Sequence, residues 1–312
     1  MKIRYLIIVF PLLAAISCDR DGVFTKEQYK NVFALVSEND NVSRKFHDLE
    51  QPESVGYISA SMGGTNPTDK EVKIQLVEDP SLIHDFNVAS FDVDVSKYYP
   101  QMPANKYDLE STTLVIPAGE ISGKIFVKIR PEGLSPDSAY FIALRVTSYN
   151  TYECNPDKSF ILYRVRTKNR YALGDGTTYY SMRGRLTMSG STIEVPGTKN
   201  IAPISKNEVR CMAGNEIYQS NIVTLRKGAF IAEVQSDNKV KIRSYANLDI
   251  TQIDGDPDYP NVFRVDNDGF KTFKTFLLHY RYTFDNTEKE IREELRYEFN
   301  AKSDDTYDWS NY

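Results

Sequence analysis

The sequence contains few of the residues that build metal and redox sites. Its 312 residues include 3 Cys, 3 His and 1 Trp, which leaves little for a site of nitrogen and sulfur ligands. It also lacks an excess of positive charge: the formal net charge is −5, which disfavours a nucleic-acid-binding protein. We therefore expect no cofactor, no metal site and no nucleic-acid partner.

Aromatic residues, by contrast, are abundant. The chain has 21 Tyr and 16 Phe among its residues. Tyr and Phe suit half-buried pleated surfaces, so this composition favours strands over helices. At roughly 150 residues per domain, the length predicts two domains.

The N-terminus has the pattern of a lipoprotein signal peptide. Lys2 and Arg4 precede the apolar run Tyr5–Ile16, and Cys18 follows. The run is shorter than the roughly 20 residues that a spanning helix needs. We predict a signal peptide at 1–17 and a lipid anchor at Cys18; an ordinary secretory signal with an incidental cysteine is the alternative.

An acidic stretch follows the predicted lipidation site. Asp19, Arg20 and Asp21 begin a short tether that we assign to residues 18–24. This stretch resembles the surface-export signal of Bacteroidota lipoproteins, although a simple solvated tether would also explain it. Removal of residues 1–17 takes away two basic residues and changes the net charge from −5 to −7. The pattern predicts an outer-membrane protein that is lipid-anchored at the cell surface.

The first predicted domain, residues 25–171, has the pattern of a β-sandwich. Val72–Val77 and Lys124–Arg130 alternate apolar and polar residues, and Pro117–Glu120 has the composition of a turn. Short strands separated by turns at this interval predict an immunoglobulin-like sandwich. The segment 80–99 does not fit, and predicts a short helix or an irregular insertion.

The second predicted domain, residues 172–312, also alternates. Ile222–Leu225 is interpreted as a strand, and Ser236–Asn238 as a hairpin turn. Glu290–Phe299 fits both a helix face and a strand, and we favour a strand. Sequential antiparallel strands predict an up-and-down barrel or a strongly curved sheet. The predicted fold class is therefore all-β in both domains.

Several segments are similar to a family of Bacteroidota surface lipoproteins, over nearly the whole chain after the signal peptide. The segments are Glu27–Ser37, Gly63–Asn66, Ile116–Glu120, Arg130–Ser138, Asp254–Asn261 and Phe276–Tyr282. In that family an immunoglobulin-like N-terminal domain of unknown function precedes a C-terminal β domain of unknown function. The resemblance implies an accessory protein of SusC/SusD-type glycan uptake systems, and supplies no catalytic or ligand residues.

The remaining polar motifs point to structure rather than to catalysis. Asp254, Asp256 and Asp258 alternate as Ca²⁺ ligands can, but the loop lacks the glycine and the terminal glutamate of an EF-hand. An acidic surface loop is the favoured interpretation. Cys154 and Cys211 fall in different predicted domains, so two unpaired thiols are favoured over a disulfide. His279 lies within a strand pattern and predicts a packed or hydrogen-bonded histidine.

Exposed aromatic rings are the one feature that fits sugar binding. A pyranose has an apolar face that packs on a flat ring, while its hydroxyl groups need polar partners. The candidate glycan-binding residues are Trp309, Tyr307, Tyr179 and Tyr180. Core packing competes with this role for the tyrosines, whereas Trp309 lies in a polar tail.

The sequence predicts a non-enzymatic surface lipoprotein that binds a glycan or a SusC/SusD-type partner. A surface glycoside hydrolase on a β scaffold is one alternative, and a structural or adhesive surface protein is another. A deep cleft with two facing carboxylates would favour the hydrolase. Long exposed strand edges would favour assembly by strand addition.

Overall fold

The computed structural model describes residues 31–64, 67–219 and 221–300, and these form two β domains. The first domain contains the helix α1 (Ser81–Phe91) and ten strands. The strands are β1 (Val32–Leu35), β2 (Val42–Asp48), β3 (Ser54–Gly63), β4 (Val72–Glu78), β5 (Tyr107–Leu109), β6 (Thr113–Ile116), β7 (Ser122–Ile129), β8 (Tyr140–Tyr149), β9 (Glu153–Cys154) and β10 (Phe160–Lys168).

The first domain is a sandwich of two five-stranded sheets. One sheet has the order β5-β7-β3-β1-β9, and the other has the order β2-β10-β8-β4-β6. Alternating apolar residues of both sheets face each other across the core, as in Val72, Ile74 and Leu76 of β4. The predicted β-sandwich is confirmed.

Helix α1 occupies the segment that did not fit the strand pattern. Leu82 and Ile83 pack on Phe141 of the second sheet. Asn87 ties the helix to the following loop, because its side chain donates to the carbonyl of Tyr99 and accepts from the amide of Tyr99, both at 2.9 Å. The prediction of a short helix between residues 80 and 99 is confirmed.

The second domain contains the short helix α2 (Ile222–Gly228) and ten strands. The strands are β11 (Tyr179–Met188), β12 (Ser191–Asn200), β13 (Ala202–Pro203), β14 (Glu208–Met212), β15 (Ala229–Val234), β16 (Val240–Ser244), β17 (Asp249–Gln252), β18 (Val262–Asn267), β19 (Thr272–Phe284) and β20 (Thr287–Phe299).

These strands form two curved antiparallel sheets around one core. The larger sheet has the order β12-β11-β20-β19-β17, with β18 also paired to β19, and the smaller has the order β13-β14-β15-β16. The predicted antiparallel barrel or curved sheet is confirmed: the first long strand, β11, pairs with the last, β20, as in a closed meander, and the strands divide into two curved sheets rather than one continuous barrel. Asp285 and Asn286 join β19 to β20 with positive φ angles of 49° and 59°, which suits a two-residue hairpin loop.

Two local predictions in this domain have opposite outcomes. Ser236–Asn238 lies between β15 and β16, and the positive φ of Asn238 confirms the turn. Ile222–Leu225, however, is part of helix α2 and not a strand. The Asn221 side chain accepts a hydrogen bond from the amide of Val223 at 2.8 Å and caps the helix, an effect that outweighs the strand preference of the β-branched residues.

The two domains are joined by ion pairs and by a buried linker. Within the described residues, two ion pairs connect the domains: Lys206 lies 3.4 Å from Glu50, and Arg210, which is 2% exposed, pairs with Asp137. Arg170 of the linker also donates two hydrogen bonds of 2.9 Å to Glu50. Tyr171 packs in the core of the second domain. A buried charged pair fixes the geometry of a contact, because separating the two groups would leave a buried charge without an opposite charge beside it.

The part of the chain that the structure describes contains no helix long and apolar enough to cross a membrane.

Candidate functional site

Of the aromatic residues predicted to contact glycan, two lie within the described residues. Tyr179 and Tyr180 are consecutive on β11, so their side chains point to opposite faces of the sheet. Trp309 and Tyr307 lie outside the described residues, as does the predicted lipidation site Cys18.

Tyr180 is a core residue, and the prediction that it contacts glycan is wrong. Its side chain is 0% exposed, its hydroxyl donates to the carbonyl of Tyr171 at 2.8 Å, and its ring stacks on Tyr297 with 5.1 Å between centroids. Burial raises the pKa of the hydroxyl well above its ordinary value. A ring enclosed by protein on every side offers no surface to a sugar.

Tyr179, by contrast, is 48% exposed and borders a surface groove of about 540 Å³. We call this the Tyr179 groove. It lies on the outer face of β11, β20 and β19, where alternate residues point away from the core. Its lining residues are Tyr179, Ser181, Arg183, Thr198, Phe273, Glu294, Arg296, Tyr297 and Glu298.

Strand register assembles this groove from distant parts of the chain. Arg296 of β20 lies opposite Ser181 of β11, and the next outward pair along the two strands is Glu294 with Arg183. Phe273 of β19 lies opposite Glu298. Hydroxyl, guanidinium and carboxylate groups are therefore spaced along one face, between two aromatic side chains.

Arg296 is held against an aromatic ring of the groove. Its guanidinium carbon lies 3.9 Å from the centroid of the Phe273 ring, within the range of a cation–π contact. Its Nε atom is buried and has no hydrogen-bond partner among the described residues. The stacked Phe273 ring therefore holds the guanidinium group in one position on this face of the sheet.

A second depression, of about 440 Å³, adjoins the Tyr179 groove at the domain junction. Tyr297 and Glu298 line both. The second depression is also lined by Lys168, the last residue of β10, and by Asn169, which follows it. Residues from both domains therefore surround the concave surface at this end of the molecule.

The acidic loop is bound to the neighbouring strands through Asp256. Asp256 accepts a hydrogen bond of 2.7 Å from Arg292 and lies 3.2 Å from His279 Nδ1, on the outer face of β19 and β20. The hydrogen bond from Arg292 lowers the pKa of the Asp256 carboxyl. Among the described residues no group of three His, Cys, Asp or Glu side chains could hold a metal ion. His279 is 3% exposed and hydrogen-bonded to Glu290, as the sequence predicts.

The interior of the second domain holds an ion pair that the sequence analysis missed. Lys199, 4% exposed, and Glu293, 0% exposed, pair with 2.5 Å between Nζ and Oε2. The Tyr280 hydroxyl donates to Glu293 Oε1 at 2.8 Å and accepts from the amide of Gly214 at 2.8 Å. Burial raises the pKa of Glu293, whereas the attraction of Lys199 opposes this shift. No sequence pattern links these residues, because they lie on different strands.

Comparison with known proteins gives the same two-part division. A family model for an N-terminal domain matches residues 24–153, and a model for a C-terminal domain matches residues 159–298. The match to the C-terminal model includes β10, although this strand belongs to the first sandwich. No protein of curated function matches the chain.

Several solved structures share the fold. A multidomain protein including DUF1735 from Bacteroides ovatus has a TM-score of 0.66 at 13% identity, over 90% of this chain and all of the other. A protein of unknown function from Bacteroides ovatus has a TM-score of 0.64 at 14% identity, over 93% and 98%. An auxiliary nutrient binding protein from Bacteroides thetaiotaomicron has a TM-score of 0.61 at 14% identity, over 84% and 94%.

The fold and these matches define a class: two-domain, all-β proteins with a sandwich followed by curved sheets. The chain belongs to a Bacteroidota family of two-domain proteins of unknown function.

Proposed function

We propose that this protein is a non-enzymatic glycan-binding lipoprotein of the cell surface, an accessory component of a SusC/SusD-type uptake system. The observation that carries the proposal is the Tyr179 groove, where an exposed ring lies beside hydroxyl, guanidinium and carboxylate groups. This combination matches the two needs of a sugar, a flat apolar contact and several hydrogen-bond partners. The auxiliary nutrient binding protein with the same fold supports the proposal.

The spacing of acidic residues in the groove favours binding over hydrolysis. Glu294 and Glu298 share the outer face of β20 and are four residues apart, which corresponds to about 13 Å along a strand. Glycosidases place two carboxyl groups roughly 5–9.5 Å apart across the scissile bond. A cleavage assay on the same glycans tests this part of the proposal, since turnover of any of them would favour the hydrolase.

Substitution of Tyr179 tests the groove. In Tyr179→Ala, loss of the stacking surface should weaken glycan affinity by about 5- to 150-fold, the equivalent of 1–3 kcal/mol for a large side chain. Calorimetry or affinity electrophoresis on a glycan panel measures this, and binding should persist in the presence of a chelator.

Tyr149 provides the matched control, because it is a tyrosine of similar exposure, 45%, in the first domain and away from the groove. Tyr149→Ala should bind as the wild type does. Trp309→Ala, made in parallel, tests the contribution of the C-terminal tail. Unchanged affinity in Tyr179→Ala would exclude the groove as the glycan-binding site. Loss of binding in the presence of a chelator would instead indicate a metal-dependent site at the acidic loop.

The lipid anchor has a separate test. Cys18→Ala should abolish incorporation of a labelled fatty acid and release the protein from the membrane fraction, because the acyl chains supply the membrane affinity. Ser17→Ala leaves the thiol in place and should remain labelled. Undiminished label in Cys18→Ala would refute the anchor without bearing on glycan binding.

A further inference from the structure

The outer face of the first sheet carries exposed apolar side chains. Val55 is 60% exposed, Tyr57 is 44% exposed and Phe126 is 38% exposed. Val55 and Tyr57 are alternate residues of β3, and Phe126 lies on β7, so all three point away from the sandwich core. We call this surface, together with Lys45, Lys124 and Lys128, the aromatic platform.

Strand register places the side chains of the platform next to one another. Tyr57 lies directly opposite Phe126 in the antiparallel β3–β7 pair, and Val55 lies opposite Lys128. Side chains at such positions have Cβ atoms about 5 Å apart and lie next to one another. A depression of about 650 Å³ adjoins them, with Leu109 of β5 in its wall.

Lysine side chains surround the two rings. Lys45 Nζ lies 4.9 Å from the centroid of Tyr57, and Lys124 Nζ lies 5.7 Å from Tyr57 and 5.0 Å from Phe126. Within the described ranges, neither ammonium group forms an ion pair with a carboxylate. Ring contacts position these charges while leaving the ammonium hydrogens available to a ligand.

Two carboxylates, Asp108 and Glu110, lie beside the platform. Asp108 pairs with Arg130 at 2.5 Å, and a carboxylate oxygen of Glu110 accepts the amide hydrogen of Phe126 at 3.1 Å. Asp108 is thus neutralised by Arg130, whereas Glu110 keeps its negative charge; against this one carboxylate the platform carries Lys45, Lys124 and Lys128, so its local charge is positive on a protein whose net charge is −5. Local charge of the opposite sign to that of the whole protein indicates complementarity to a negatively charged ligand.

We propose that the aromatic platform is a second glycan-binding surface, selective for acidic polysaccharides that carry carboxylate groups. The apolar face of a uronic acid residue packs on Tyr57 and Phe126, and its carboxylate pairs with Lys124 or Lys45. Since the platform and the Tyr179 groove are on different domains, this proposal does not depend on the groove.

The experiment compares polygalacturonate with its fully methyl-esterified form, using the full chain in affinity electrophoresis. Esterification removes the carboxylate charge and keeps the sugar rings. The wild type should be retarded by polygalacturonate and much less by the ester, and the retardation should weaken as salt rises. Lys124→Gln should weaken binding of polygalacturonate by about fivefold, and Tyr57→Ala by about tenfold or more.

Two controls separate this site from a general charge effect and from the groove. Lys73→Gln removes a lysine that is paired with Glu71 elsewhere in the first domain, and should leave binding unchanged. Tyr179→Ala should also retain polygalacturonate binding, and Tyr57→Phe should rescue the loss in Tyr57→Ala. Thermal unfolding of each variant shows whether it is folded.

Equal binding of the ester, unchanged binding in Lys124→Gln, or no retardation by polygalacturonate would each overturn the proposal. Loss of binding in Tyr179→Ala alone would overturn the platform and leave the proposed function standing. Binding of acidic peptides such as polyglutamate with the affinity of polygalacturonate would overturn selectivity for sugars.

Discussion

Glu293→Gln should lower the free energy of unfolding of the second domain by about 3–5 kcal/mol. The substitution removes the charge that compensates Lys199, and Lys199 is only 4% exposed. The interior can neither hydrate the remaining ammonium group nor supply another carboxylate within the Lys199–Glu293–Tyr280 cluster. Urea denaturation, with the midpoint and slope measured separately, detects a loss of this size.

Glu294→Gln is the matched control, because it makes the same chemical change at the next residue of β20 but on the outward face. It should alter stability by no more than about 0.5 kcal/mol. The double variant Lys199→Met/Glu293→Leu removes both charges and should recover most of the stability lost in the single variant. A stability loss below 1 kcal/mol in Glu293→Gln would contradict the importance of the buried pair.

Acidification should destabilise the first domain through His47. Its ring nitrogens lie 3.1 Å from Ser54 Oγ and 3.0 Å from the Tyr163 hydroxyl, and it is 1% exposed. Desolvation lowers the pKa of His47 from 6.5 to about 4. The unfolded chain therefore binds a proton more readily than the folded chain at intermediate pH, so stability present above pH 6.5 is lost as pH falls toward 4.

The lowered pKa of His47 should reduce the free energy of unfolding by about 2–3 kcal/mol between pH 7.5 and pH 4.5. Urea unfolding gives the free energy of unfolding of the wild type and of His47→Gln at the two pH values. The difference between their pH-dependent changes is the contribution of His47, because the other titrating groups are common to both proteins. His84→Gln, on helix α1, is the control and should keep the wild-type pH dependence. Equal acid sensitivity in wild type and His47→Gln would exclude His47 as the cause.

Much of the fold follows from the sequence because strand patterns and turn residues are local properties. The alternation in Val72–Val77 and the turn at Ser236–Asn238 both needed only neighbouring residues. Helix α2 was mistaken for a strand because its β-branched residues suit a strand equally well, and the cap at Asn221 decided the outcome. The pairing of β11 with β20 depends on contacts more than 100 residues apart, which no local pattern encodes.

The candidate site was only partly predictable for the same reason. Tyr179 and Tyr180 are adjacent, and a period of two residues places one of them in the core and the other outside. Which of the two is exposed depends on where the second sheet lies. Phe273 and Arg296 have no distinguishing local sequence, and they meet only because β19 and β20 pair in one register.

The position of β10 has a consequence for how the first domain folds. This strand lies between the edge strand β2 and the central strand β8, and it pairs in parallel with β2, so that Leu162 lies opposite Val42. During synthesis, nine of the ten strands of the domain are therefore complete before β10, the strand that connects β2 to the rest of its sheet. Such distant pairing raises contact order and slows folding. Until residue 168 is synthesised, β2 and β8 present unpaired backbone edges, the surfaces at which partly folded chains associate.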